Sequence, residues 1–183
     1  MSWHIREAAR KLQAGGVIAY PTETVYGLGC DPFNAAAVLH LLALKQRGIR
    51  HGVILIAAAV EQLEPLLTPL TPAVRRRLAS PASPPVTWVL PCMPDTPSWL
   101  TGNHASLALR VTNHPVAAAL CTRWGGPLVS TSANLHGRPP ATTALDVRRA
   151  FDGQLDYILH GNDTASNTPS SVRDGITGNI LRH

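Results

Sequence analysis

No run of apolar residues in this chain is long enough to cross a bilayer, and the N-terminal stretch MSWHIREAARKLQ carries acidic Glu7 and no secretory-signal core. The expectation is a soluble, cytoplasmic protein with no membrane partner. Cysteine is sparse. Cys30, Cys92 and Cys121 are odd in number, far apart and free of any CxxC or Cys/His spacing, which argues for free thiols and against zinc or a disulfide framework. Lysine is scarcer still: Lys11 and Lys45 are the only two, and the rest of the 16 basic residues are arginines. Also missing are GxxxxGK[ST], a GxGxxG after a strand, HExxH and GxSxG. Those absences argue against a P-loop, a dinucleotide-binding turn, a zincin helix and a nucleophile elbow.

At 183 residues, of which 45% are hydrophobic and 15% charged, the chain reads as one globular domain over residues 1–183, without a further C-terminal domain. A chain of this length buries roughly 70% of the surface its unfolded form exposes, so it needs neither disulfide nor metal to hold it. The net charge of +5 rests on arginine, whose planar fork suits phosphate and carboxylate. That points to an anionic partner, nucleotide or RNA, although a GC-rich genome would give the same bias.

Ile5, Ala8, Ala9 and Leu12 recur at helical spacing over residues 3–14, and Gly15-Gly16 stops that helix. Val17 to Tyr20 reads as a short buried strand ended by Pro21, which cannot donate to a sheet ladder. Asn34 caps a second helix running to about Arg47, with Val38, Leu41 and Leu42 inward. Strand-like runs follow at 53–57, 86–90, 106–111, 128–130 and 157–159, alternating with a proline-broken helical stretch at 59–79 and helices at 115–124 and 143–151. Residues 91–104 read as a loop, and SSVRDGITGNILRH as a hairpin about Asp174-Gly175. The alternation predicts an α/β fold with a mixed sheet.

Hydroxyl, amide and basic side chains gather where these strands end, the place where open α/β sheets hold ligands. Thr22-Glu23-Thr24 follows Pro21, and Gly27 and Gly29 then let the backbone turn or pass close to a neighbour. Ser130, Thr131, Ser132 and Asn134 close another strand, with Lys45, Arg47 and Arg110 near other ends. Such groups bind an anionic substrate and stabilise charge without supplying a nucleophile. Structural readings stand beside this one. Lys45 and Arg47 complement a helix C-terminus, Ser132 and Asn134 form a local turn, Arg182 is a frayed terminal charge, and Arg75-Arg76-Arg77 is a solvated face or an RNA patch. Cys30 is either a small buried residue or a reactive thiol.

The motifs AYPTETVYGLGCDP (19–32), LLALKQR (41–47), VTWVLP (86–91), LALRVTNHP (107–115), PLVSTSANLHGRPP (127–140) and TPSSVRD (168–174) come in the order found in the YrdC-like threonylcarbamoyl-AMP synthases. The chain resembles the short, single-domain bacterial form of that family from about Ala14 to Arg182. The resemblance implies a YrdC-like α/β fold, a twisted mixed sheet with flanking helices around a wide basic concave cavity. It implies that L-threonine, bicarbonate and ATP, with Mg2+ accompanying the nucleotide and no permanently bound cofactor, give threonylcarbamoyl-adenylate and pyrophosphate. The adenylate would pass to a downstream complex that modifies position 37 of tRNAs reading ANN codons, with direct tRNA binding weak. By matching position, Lys45 and Arg47 (KxR) are the catalytic pair on triphosphate or carbamate. Ser132 and Asn134 (SxN) hold phosphate or ribose, Thr24 with Thr22 meets threonine or its carbamate, Thr87 lines the nucleotide side, Arg110 and Ser130 the threonine side, and Arg182 reaches ATP. No metal ligands are implied. Gly48 replaces a frequent proline, Ser83-Pro84-Pro85 a glycine-bearing motif, and His136 a frequent serine; gating by a C-terminal domain does not operate.

Two other functions share the basic residues: a non-catalytic module binding tRNA or double-stranded RNA, and a carbamoyl transferase that would need a partner domain. A backbone binder needs spread-out cations, whereas the hydroxyl and amide groups at 22–24 and 130–134 suit a small ligand.

Overall fold

Ile5, Ala8, Ala9 and Leu12 turn one face of the first helix, α1 (Trp3–Gln13), inward, as their spacing requires. The computed structural model describes residues 3–80, 82, 84–135, 137–161 and 170–182. Ser83, His136 and the Thr168-Pro169 start of the TPSSVRD motif therefore lie outside the described residues. After α1 come β1 (Ile18–Pro21), β2 (Tyr26–Gly29), α2 (Ala35–Leu44), β3 (Ile54–Ala57), α3 (Pro72–Ala79), β4 (Val86–Pro91) and α4 (Ser98–Thr101). Then follow β5 (Ser106–Val111), α5 (Pro115–Trp124), β6 (Leu128–Ser132), α6 (Ala144–Phe151), β7 (Tyr157–Ile158), β8 (Ser171–Asp174) and β9 (Ile180–Arg182).

The strands form one mixed sheet in the order β7-β1-β2-β6-β3-β5-β4-β8-β9. Its mixed character does not rest on the terminal hairpin alone. β1–β2, β2–β6, β3–β6 and β4–β5 are antiparallel as well, whereas β1–β7, β3–β5 and β4–β8 are parallel. The β8–β9 connection is longer than the two-residue turn that Asp174-Gly175 suggested, because Asp174 Oδ1 accepts from the N–H groups of both Ile176 and Thr177 and rounds off a wider turn.

Side chains alternate between the two faces of the sheet. One face, with Val17, Ala19, Leu28, Leu55, Leu109 and Val129, packs into the larger apolar cluster together with α2, α3, α4 and α6. On the other face Ile18, Tyr20, Ile56 and Leu128 pack under α1 and α5. Beyond those helices that second face becomes polar. Ser130 pairs with Ile54, Ile56 with Arg110, Thr87 with Val172 and Val172 with Arg182, so Ser130, Arg110, Thr87 and Arg182 all stand on it.

β2 is the element the sequence pattern concealed. YGLG has two glycines and no β-branched residue, yet all four residues are buried. Tyr20 explains this: its ring lies across β2 and its hydroxyl donates to the Val129 carbonyl at 3.0 Å, so glycine is required beneath it. Cys30 and Cys121 are buried free thiols whose ionisation burial pushes up to about 12, which removes the reactive reading of Cys30.

Candidate functional site

Asn34 opens α2 by accepting from the Ala37 N–H, and the helix ends at Leu44, three residues before Arg47. The end is a Schellman turn. Gln46 N–H donates to Ala43 and Arg47 N–H to Leu42, with Gln46 held at φ +50°, a position where glycine is usual. That turn aims Lys45 and Arg47 away from their own helix. Replacing Gln46 by glycine is expected to raise unfolding free energy by about 0.5–1 kcal/mol in urea titration, since it relieves the left-handed strain.

Lys45 Nζ reaches β6 instead of capping α2. It donates to the carbonyls of Ser132 and Asn134, both at 2.7 Å, and to Asn134 Oδ1 at 2.5 Å. Three acceptors for three ammonium protons leave none free. Burial, and behind it the Arg47 charge, draw Lys45 down to about 8. Asn134 also takes Ser132 Oγ at 2.7 Å on the same oxygen, while its Nδ2 donates to Leu135 and Arg138 carbonyls. The local-turn reading of Asn134 thus holds alongside its contact with Lys45.

Lys45, Gln46, Arg47, Gly48, His51, Thr131, Ser132, Asn134 and Gly137 border one hollow of about 250 Å³. Arg47 donates to the Gly52 carbonyl at 3.0 Å, and burial first, then the nearby Arg182 charge, lower its pKa. Among the described residues these three cations have no carboxylate partner, and none lines the hollow. Converging unpaired cations repel one another, and an anion between them removes that cost.

A second cluster lies on the same face. Arg110, 6% exposed, stands 3.4 Å from Glu23 through Nη2, and Glu23 Oε1 accepts from Thr112 Oγ1 at 2.8 Å and from the Asn113 N–H at 2.9 Å. Burial pushes the Glu23 carboxyl up, but Arg110, Thr112 and Asn113 outweigh it and the net shift is down. Thr22 spends its hydroxyl on the Val25 carbonyl and receives the Thr24 N–H, which fixes the turn carrying Glu23. Thr24 is buried in that turn and does not border the Lys45 hollow. Thr87 is buried and bonded to Ser170 Oγ at 3.2 Å.

Ser130 and Ser132 share the face of β6 that carries the site. The two serines stand two residues apart, about 7 Å along the strand; Ser132 borders the hollow, and Ser130 pairs with Ile54 of β3. The structure thus joins Lys45, Arg47, Ser132 and Asn134 around one hollow, with Arg182 close to Arg47, while Arg110 and Ser130 stand on the same sheet face outside that hollow. Sequence reasoning gave no role to Glu23, Thr112 or Asn113; the signal was a lone acidic residue between two threonines just past a strand. The Arg75-Arg76-Arg77 cluster is largely spoken for. Arg75 pairs with Glu61 and Glu64, and Arg77 donates to the Gly175 and Ile176 carbonyls and lies over Trp88.

Comparison with known proteins bears on this arrangement. The Sua5/YciO/YrdC family model, described as "Telomere recombination", matches residues 10–183. The threonylcarbamoyl-AMP synthase of Nitrosococcus oceani is 55% identical over 99% of this chain and 98% of its own. That of Coxiella burnetii (strain RSA 493) is 48% identical over 97% and 96%. Among solved structures, P. abyssi Sua5 complexed with L-threonine superposes with a TM-score of 0.87 at 33% identity over 94% of this chain. The chain spans about half of that protein, 51%. E. coli YciO gives 0.83 at 26% identity over 98% of this chain and 88% of its own.

Proposed function

The chain belongs to the Sua5/YciO/YrdC family, and we propose that it is a cytoplasmic threonylcarbamoyl-AMP synthase in which the Lys45 hollow takes the nucleotide phosphates and the Arg110 cluster takes L-threonine. It makes threonylcarbamoyl-adenylate and pyrophosphate from L-threonine, bicarbonate and ATP. The product serves N6-threonylcarbamoyladenosine formation at position 37 of tRNAs reading ANN codons, after hand-over to a downstream transfer complex. The observation that carries this reading is the pairing of an acceptor-rich loop, Ser132 to Asn134, with three cations that lack carboxylate partners among the described residues, on the sheet face that also carries the buried Arg110.

The chemistry asks little else of the protein. The threonine amine attacks the carbon of bicarbonate, losing a proton as a C–O bond breaks and water leaves, and an oxygen of the resulting carbamate attacks the α-phosphorus of ATP, expelling pyrophosphate. Both nucleophiles belong to substrates. The chain's part is alignment, which contributes about 7–11 kcal/mol in favourable cases, and offsetting the triphosphate charge with Lys45, Arg47 and Arg182. Among the described residues no carboxylate borders the hollow, and those that do border it do not fit a protein-held magnesium site. Mg2+ accompanies ATP on its phosphates and water. Thr87 and Ser130 support the floor between the two halves.

Purified protein given ATP, bicarbonate and L-threonine is expected to release pyrophosphate only when threonine is present. Release indifferent to threonine overturns the assignment.

A further inference from the structure

Helices α1 and α5 border a hollow of about 540 Å³ that shares no residue with the Lys45 hollow and has about twice its volume. That size lies within the roughly 300–1,000 Å³ of small-molecule sites. Trp3, Arg6, Glu7 and Arg10 line it from α1, at the spacings of three and four that bring side chains to one side of a helix. Arg123 and Trp124 line it from the last turn of α5. Trp124 packs against the apolar cluster beneath the two helices, which fixes that indole, whereas Trp3 is 60% exposed. Among the described residues Ala9 is the one aliphatic side chain in the lining. The charge there is unbalanced. Glu7 accepts from Arg10 Nε at 3.0 Å and from Arg10 Nη2 at 2.6 Å, so both its oxygens are taken. Arg6 and Arg123 have no carboxylate partner among the described residues. Three guanidinium groups against one carboxylate leave the hollow at +2.

Two indole rings and a net positive charge fit a ligand that is flat at one end and doubly anionic at the other. A nucleoside 5′-monophosphate has both ends: its base offers a π-face for an aromatic side chain, and a phosphate monoester carries about −1.5 to −2 at neutral pH. We propose that the α1–α5 hollow is a second nucleotide site, taking the base against Trp3 and Trp124 and the phosphate between Arg6 and Arg123. Arginine suits that phosphate because its fork donates two hydrogen bonds to one group. An aliphatic anchor from a protein partner finds no matching wall in this hollow, and a duplex backbone needs cations spread along a stripe. A free mononucleotide and the 5′-phosphate end of an RNA strand present the same chemistry. The proposal does not depend on the reaction assigned to the Lys45 hollow.

The test follows the indole N–H signals of Trp3 and Trp124 by NMR as AMP is added to the full chain, so that binding in the Lys45 hollow is not counted. AMP is expected to move both signals saturably. Ribose 5-phosphate, which lacks the base, should bind there about 5- to 150-fold more weakly, the scale of one base stacked on an aromatic ring. Arg6 and Arg123 are exposed, so Arg6→Gln with Arg123→Gln keeps the fold. The double variant should lose about 10- to 150-fold in AMP affinity at these signals, with threonine-dependent pyrophosphate release unchanged. A short single-stranded RNA, with and without a 5′-phosphate, separates the two sources. Movement by AMP and not by RNA assigns the site to free nucleotide, and movement by RNA only in its 5′-phosphorylated form assigns it to a strand end. Signals that neither ligand moves overturn the proposal. So does equal AMP affinity in the double variant, or ribose 5-phosphate binding as tightly as AMP, which would leave only a patch for anions.

Discussion

Lys45→Ala is expected to lower threonine-dependent pyrophosphate release by about 10²–10³-fold, the usual scale for removing one charge-stabilising group from a reaction site, while changing unfolding free energy by less than about 1 kcal/mol. The two outcomes differ because the ammonium is costly to bury. Its three hydrogen bonds to Ser132 and Asn134 are opposed by desolvation and by Arg47, the balance that draws its pKa to about 8. With the lysine gone, Asn134 Oδ1 still has Ser132 Oγ, so the loop keeps its shape but loses its charge. Lys45→Arg is not expected to rescue activity, since a planar fork cannot give three bonds from one nitrogen.

The same lysine sets a pH dependence. As pH rises through about 8 the ammonium loses a proton, and the apparent KM for ATP should climb in the wild type but not in Lys45→Ala. Stability moves the opposite way. The folded pKa lies below the ordinary 10.5, so between about 8 and 10.5 the unfolded chain binds more protons and folding becomes more favourable as pH rises. A Lys45→Ala enzyme within tenfold of wild type, or one with the same alkaline limb, overturns this assignment.

Periodicity and caps made most of the fold legible. The α1 face, the Asn34 cap, β3, β5, α5 and α6 lie where spacing and turn residues put them, because each is decided by local pattern. What escaped depends on partners far away in sequence. β2 is a strand because Tyr20 and β6 enclose it, and α2 stops before Lys45 because a non-glycine residue accepts a left-handed turn. α4 is a short helix inside a stretch that reads as loop. The site followed the same division. Polar residues past strand ends were visible, but nothing in the sequence shows that Lys45 spends its protons on β6, or that Thr22 serves its own turn while Glu23 holds the strand-end loop.

Gly29→Ala is expected to cost about 3 kcal/mol or more, a fall in melting temperature of roughly 6–12 °C for a chain of this size. Gly29 has an ordinary backbone conformation, so the requirement is space. A methyl there would lie 2.3 Å from the Val129 carbonyl oxygen and 2.7 Å from the Tyr20 ring. Neither neighbour can retreat, since one is the backbone of β6 and the other is a fully buried ring bonded to that same carbonyl. Relieving the clash breaks the Tyr20 bond and leaves a buried hydroxyl unpaired. Gly27, two residues earlier on the same face, makes the contrast. Its methyl would meet Thr22, Ser130 and Tyr20 at 3.3–3.4 Å, contacts that shifts of a few tenths of an ångström absorb. Gly27→Ala should therefore stay within about 1 kcal/mol of wild-type stability yet raise the KM for threonine, because the added methyl stands against Thr22 and Ser130. A Gly29→Ala protein as stable as wild type would mean that Tyr20 does not lock β2 against β6. Unchanged threonine kinetics in Gly27→Ala would move the amino-acid half of the site away from this face.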